Sequence, residues 1–212
     1  MTGSRESKGR PDGTPEIGDS YQRIEKAKGD GSETSWTYLF DRYQTRARLY
    51  AECRIGPKLR GQATVDDLMQ EVWLKTCRGI GDFEYQGPDS FYRWICLNIR
   101  RVAADLGRGV RPEVGAVGED GEELLAEAPA AGPGPRTEVG GVDVVSLLRD
   151  ALADVPELFR EVLVEVYLEG RDRAEVAAER GLKRETLKKQ LQRGLEKWRE
   201  SLGGLDPLEH LG

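Results

Sequence analysis

Histidine and cysteine are scarce: the 212 residues include one histidine, His210, and three cysteines, Cys53, Cys77 and Cys96. No two of these stand at CxxC or similar ligand spacing, which argues against a zinc site and against a disulfide framework. One histidine near the end of the sequence likewise argues against a catalytic triad or a histidine general base. Long apolar runs are missing too. No stretch reads as a signal peptide or is long enough to cross a bilayer, so the expectation is a soluble, cytoplasmic protein with reduced thiols, no membrane partner and no cofactor. Positive charge is not in excess either: 32 Lys and Arg against 38 Asp and Glu give a net charge of -6. That excludes a uniformly basic nucleic-acid coat, but phosphate contacts depend on where charge sits locally.

Strand signals are also absent, whereas helical spacing recurs. Residues 1–20 are small, polar and charged, and are expected to form a disordered tail. Trp36, Leu39, Phe40, Tyr43, Ala47 and Tyr50 step by three and four along one helix face, which Gly56-Pro57 should end. Thr64, with Asp67 three residues on, predicts a capped helix carrying Val65, Leu68, Met69, Val72 and Thr76. A further helix should start near Ser90, with Phe91, Trp94, Ile95, Val102 and Leu106 inward and Arg93, Arg100, Arg101 and Arg108 mostly outward. From 109 to 141 the composition shifts to Gly, Pro, Ala and acid, the mark of a flexible acidic linker. Helical spacing then returns through Val144, Leu148 and Leu152, resumes after Pro156, and closes on a stripe of Leu187, Leu191, Leu195, Trp198 and Leu202. The expected fold is all-α: two small helical domains, 21–108 and 142–203, joined by the linker and followed by a tail at 204–212.

Ala177, Gly181 and Leu187 have the spacing of a helix-turn-helix, in which the small residue admits a close approach, glycine makes the turn and leucine anchors the second helix. That second helix begins with Lys183, Arg184, Lys188, Lys189 and Arg193, off the leucine stripe, at the end from which a recognition helix reads base edges. A solvated lysine-rich face is the plainer reading of those cations, and the turn spacing weighs against it.

With these motifs in view, the sequence resembles bacterial RNA polymerase sigma factors of the two-domain, extracytoplasmic-function type. LRDALADVPELFREVLVEVYLEG and AEVAAERGLKRETLKKQLQRGLEKWRESL are similar to the domain that reads the minus-thirty-five element; TVDDLMQEVWLKTCR is similar to the polymerase-binding helix, and FYRWICLNIRRVAADLGR to the helix that engages the minus-ten element. The resemblance implies a non-enzymatic initiation factor whose partners are core RNA polymerase, duplex and melted promoter DNA and, often in the family, an anti-sigma protein. It implies that Asp67, Gln70 and Glu71, which share a helix face, contact the polymerase. It places Tyr85, Gln86, Tyr92, Arg93, Asn98, Arg100, Arg101 and Arg108 at the minus-ten DNA, with Asn98 standing where the family usually has an apolar residue and Arg101 where asparagine is common. Lys183, Arg184, Glu185, Thr186, Lys188, Lys189 and Arg193 are placed at the minus-thirty-five DNA. Three departures accompany the last group: Lys183 in place of a Ser or Thr cap, Arg173 in place of an aromatic, and Arg180 in place of an apolar residue.

A flexible linker of about 35 residues has a root-mean-square span of roughly 30 Å. Promoter elements some 20 base pairs apart lie about 70 Å from each other at about 3.4 Å per pair. The linker can therefore reach, but a third body must hold the spacing, and in the family that body is the polymerase. Two other classes compete. A helix-turn-helix regulator acting without polymerase would have no use for the DDLMQEVW segment. An acid/base enzyme using Asp66 and Asp67 is opposed by helix geometry, because adjacent side chains point about 100° apart.

Overall fold

The computed structural model describes residues 17–55, 63–87, 89–108, 138–139 and 142–212. The expected stop at Gly56-Pro57, residues 1–16 of the expected tail and most of the expected linker lie outside the described residues. Among the described residues eight α-helices carry the fold: α1 (Ile17–Asp30), α2 (Glu33–Tyr50), α3 (Val65–Gly79), α4 (Ser90–Gly107), α5 (Val144–Ala153), α6 (Glu157–Leu163), α7 (Arg173–Glu179) and α8 (Arg184–Ser201). Two of them continue as single π-helical turns, α2 through Ala51–Ile55 and α6 through Val164–Leu168. A two-residue antiparallel pair, β1 (Glu138–Val139) with β2 (Val142–Asp143), precedes α5 in register Glu138 to Asp143.

In the N-terminal half, α3 and α4 pack on each other and on α2, with Leu39, Leu68, Val72, Phe91, Ile95 and Ile99 buried between them. Phe83, Phe91 and Trp94 meet ring to ring at 5.1–5.7 Å, the offset geometry that aromatic quadrupoles favour. The start of α3 is fixed by a full capping box: the Thr64 hydroxyl accepts from the Asp67 amide at 3.1 Å, and the Asp67 carboxylate accepts from the Thr64 amide at 3.0 Å. The first helix, α1, enters the stretch expected as a tail. Its Ile24 and Ala27 are buried, and the Tyr43 hydroxyl donates to Ser20 at 3.4 Å.

In the C-terminal half, α8 crosses α6 closely at Gly194, where a Cβ would lie 3.1 Å from Leu163 and 3.2 Å from Phe159. Trp198 is fully buried there, its indole N–H donating to the Leu148 carbonyl at 3.1 Å. Beyond α8 the chain folds back rather than fraying. Asp206 caps a 3-10 turn, Pro207–His210, and Leu211 is buried at 4% exposure.

The two halves do not stand apart. A single buried cluster runs from Ile24 to Leu211 and includes residues of both. Arg46, only 9% exposed, donates from Nε to the Tyr167 carbonyl at 2.6 Å and lies 3.7 Å over the Tyr92 ring. The Tyr92 hydroxyl donates to the Leu168 carbonyl. Ion pairs Glu52–Arg149 at 2.9 Å and Arg54–Glu161 at 3.0 Å close the same seam.

Candidate nucleic-acid and polymerase interfaces

The expected polymerase face lies on the first two turns of α3. Gln70 is exposed and Glu71 half-buried, one helical turn beyond Asp67. Asp67 also has the capping task expected from its spacing to Thr64: its Oδ2 is taken up by the capping box, and hydrogen bonds from the Thr64 hydroxyl and amide hold the carboxyl below its ordinary value. The neighbouring Asp66 is paired with Arg48 at 2.6 Å. What remains open to a basic partner is therefore Gln70, Glu71 and the second oxygen of Asp67.

The expected minus-ten residues divide into two groups. Arg93, Arg100 and Arg101 on α4 and Arg108 at its C-cap are all exposed, and spacings of seven and eight residues bring them to one side as a basic stripe. Tyr85 is half-buried and Gln86 exposed in the segment before α4. Sequence reading did not foresee the partner of Tyr85, which is Tyr21 of α1, with ring centroids 5.0 Å apart. Tyr92 and Asn98, by contrast, face inward. Tyr92 is 0% exposed beneath Arg46 and Leu168, and burial pushes its phenol well above the usual range. Asn98 is 2% exposed and donates to the Thr76 hydroxyl at 3.2 Å, which in turn donates to the Val72 carbonyl at 2.7 Å. A polar residue at this otherwise apolar position is thus satisfied by a polar partner on α3. In this arrangement neither Tyr92 nor Asn98 reaches the surface that the arginines share.

The helix-turn-helix has the expected frame. Ala177 and Leu187 are buried between α7 and α8, Gly181 adopts φ +63°, and the Leu182 amide donates to the Ala177 carbonyl at 2.8 Å. Asp172 caps α7 by accepting from the Ala174 and Glu175 amides. Lys183, Arg184, Glu185, Thr186, Lys188, Lys189 and Arg193 are every one exposed, spread over the wide arc of the N-cap and first half of α8 that the buried Leu187 and Leu191 leave open. Lys183 occupies the N-cap without capping it.

The other two departures from the family pattern have physical explanations. Arg180 forms a two-pronged pair with Glu165 of the π turn at 2.8 and 3.0 Å, so charge replaces the usual apolar packing. Arg173 lies 5.8 Å over the Tyr167 ring and donates to its hydroxyl at 3.3 Å. Among the described residues no group of histidine, cysteine or acidic side chains is placed to hold a metal, and no helix is long and apolar enough to cross a membrane.

Residues 39–111 match the family model described as Sigma-70 region 2, and residues 146–197 the one described as Sigma-70, region 4. The chain is 32% identical over 96 residues to the ECF RNA polymerase sigma factor BldN of Streptomyces coelicolor, covering 45% of this chain and 34% of that protein. It is 26% identical over 179 residues to the ECF RNA polymerase sigma factor SigE of Mycolicibacterium smegmatis, covering 83% of this chain and 65% of that one. With the RNA polymerase sigma factor CarQ of Myxococcus xanthus it shares 28% identity over 179 residues, 84% of this chain and 94% of that protein. The chain thus spans less than two thirds of the length of the first two of these relatives.

Proposed function

The chain belongs to the extracytoplasmic-function type of RNA polymerase sigma factors, and from that premise we propose that it binds core RNA polymerase and directs it to specific promoters. The observation that carries the reading is the order of two matched regions, an acid-bearing α3 in the first and a basic helix-turn-helix in the second. Gln70 and Glu71, with Asp67, form the polymerase contact. The first half of α8 enters the major groove of the minus-thirty-five element. There the arginines supply base-edge discrimination worth about 1–3 kcal/mol per good bidentate contact, and the lysines supply salt-dependent phosphate affinity.

At the minus-ten element the α4 arginines hold phosphates of the melted strand, while Tyr85 and Gln86 receive an unstacked base. Stacking on an aromatic ring is worth about 1–3 kcal/mol per base, comparable with the cost of extruding it. Tyr92 joins this site only once the seam against Leu168 has opened. The chain works by binding, and the chemistry is the polymerase's. Anti-sigma proteins are the remaining class of partner, competing for the same exposed faces.

The test is binding to purified core RNA polymerase by the wild type and by a Gln70→Ala, Glu71→Lys double variant, with duplex-DNA affinity measured alongside. Tight wild-type binding that the folded variant loses is the expected result. Absence of core binding, together with specific duplex binding by the free protein, would leave a helix-turn-helix regulator instead.

A further inference from the structure

Where the two halves meet there is a cavity of about 540 Å³, within the size range of small-ligand pockets. Four guanidinium groups line it: Arg46 and Arg93 from the N-terminal half, Arg171 and Arg173 from the C-terminal half. Against them stand Asp89, engaged by Arg46 at 3.2 Å, Asp172, engaged by the α7 amides it caps, and the backbone carboxyl of Gly212, while Arg171 is paired with Glu179 and lies 3.9 Å from Glu165. Arg93 is exposed and has no ion pair among the described residues. The walls are well fixed. Gly170, at φ +68°, sits so close that a Cβ would lie 3.1 Å from Tyr92 and 3.4 Å from Arg46, and Leu208 and Leu211 of the returning tail close another side.

We propose that this cavity binds a phosphate-bearing small anion of about nucleotide size, and that its occupant holds the two halves together. Guanidinium forks match phosphate oxygens two at a time, and Arg93 and Arg173, one from each half, have no carboxylate partner among the described residues, whereas Arg46 is paired with Asp89 and Arg171 with Glu179. Because each half contributes part of the site, a ligand that fills it binds the closed arrangement better than a separated one and stabilises it by mass action. The inference stands whether or not the chain recruits polymerase.

The experiment uses the full chain, with inorganic pyrophosphate and ATP as probes in titration calorimetry. The distance between dyes on Asp82→Cys and Glu196→Cys is followed in parallel. Burial pushes the native thiols of Cys53, Cys77 and Cys96 up to about 11, which favours labelling at the introduced sites. The expected result is saturable binding of both probes, at least tenfold weaker in an Arg171→Gln, Arg173→Gln variant and in a separate Arg173→Glu variant, with a narrower distance distribution in the bound state. Circular dichroism checks that the variants fold. Equal binding by wild type and both folded variants would overturn the assignment, as would no binding at millimolar probe. A third arm uses a short single-stranded DNA; binding of that DNA through Arg171 and Arg173, with neither small phosphate bound, would overturn the small-anion site and give these arginines to the nucleic-acid backbone.

Discussion

Replacing Arg180 by leucine restores the apolar residue usual for a sigma factor at this position and removes both hydrogen bonds from Glu165. Burial on its own would raise the Glu165 carboxyl, but the hydrogen bonds and charge of Arg180, with Arg171 and Arg54 behind, hold it below its ordinary value. A hydrogen bond to a charged group contributes about 1.5–3 kcal/mol when well enclosed. Here the side chains retain 29% and 15% exposure, and Arg171 stays within 3.9 Å of Glu165. The expected loss is therefore about 1–2 kcal/mol, or about 2–8 °C in Tm for a protein of this size. The acid dependence has a definite sign. With the folded pKa depressed, the pair contributes fully above the ordinary glutamate pKa of about 4.3 and is lost as pH falls through the folded value. Urea unfolding of wild type and Arg180→Leu should thus differ most near pH 7 and converge in acid. An Arg180→Leu, Glu165→Met double variant should recover stability, because no carboxylate is left unpaired. Equal stability of wild type and single variant at pH 7, or a double variant whose loss is the plain sum of two single losses, would refute the account.

Gly194→Leu should destabilise the C-terminal half by about 1–3 kcal/mol, seen as a lower Tm, because Leu163 and Phe159 leave no room for a side chain. Trp198→Phe keeps an aromatic ring but removes the indole hydrogen bond to the Leu148 carbonyl, and should cost about 0.5–1.5 kcal/mol in chemical unfolding. Asp67→Asn should weaken the helical start of α3 near neutral pH, and the difference from wild type should fade as pH falls through the depressed Asp67 value, read by circular dichroism. Lys188→Ala should lower holoenzyme affinity for the minus-thirty-five element across sequences and reduce the slope of log K against log salt by about one, whereas Arg184→Ala should relax base preference.

Much of the helical architecture is legible in local pattern. The α3 capping box, the Asp172 cap and the turn at Gly181 are short-range devices whose donors and acceptors lie within a few residues, so spacing alone identifies them. The helix α1 was within reach as well, since Ile17, Tyr21, Ile24 and Ala27 recur at four, three and three. Its polar composition hid it, and its stability comes from packing on α2. The inward turn of Asn98 and Tyr92 was not legible, because their partners Thr76 and Leu168 lie 22 and 76 residues away. The order of the tail after α8 depends in the same way on contacts no window of sequence contains: Leu211 is buried, and Gly212 lies against the Arg42 carbonyl.

The seam between the halves changes how the family's division of labour applies to this chain. On the proposed function, promoter elements about 70 Å apart cannot both be read while Arg46, Tyr92 and Leu168 are in contact, so the seam would have to part when a holoenzyme engages DNA. The parting exposes Tyr92, beside the basic stripe of α4, and frees Arg46 from the Tyr167 carbonyl. Breaking those contacts costs free energy, since a buried guanidinium and a buried phenol lose their acceptors and must be resolvated or re-paired. Only a partner that binds the separated halves better than the joined ones can offset that cost. Core polymerase meets the condition if it holds the two regions at promoter spacing. Duplex DNA alone, touching only α8, does not, because its contacts are the same in both arrangements. On the proposed function, promoter recognition is in this way coupled to polymerase binding by the packing of α2 and α4 against the π turn of α6.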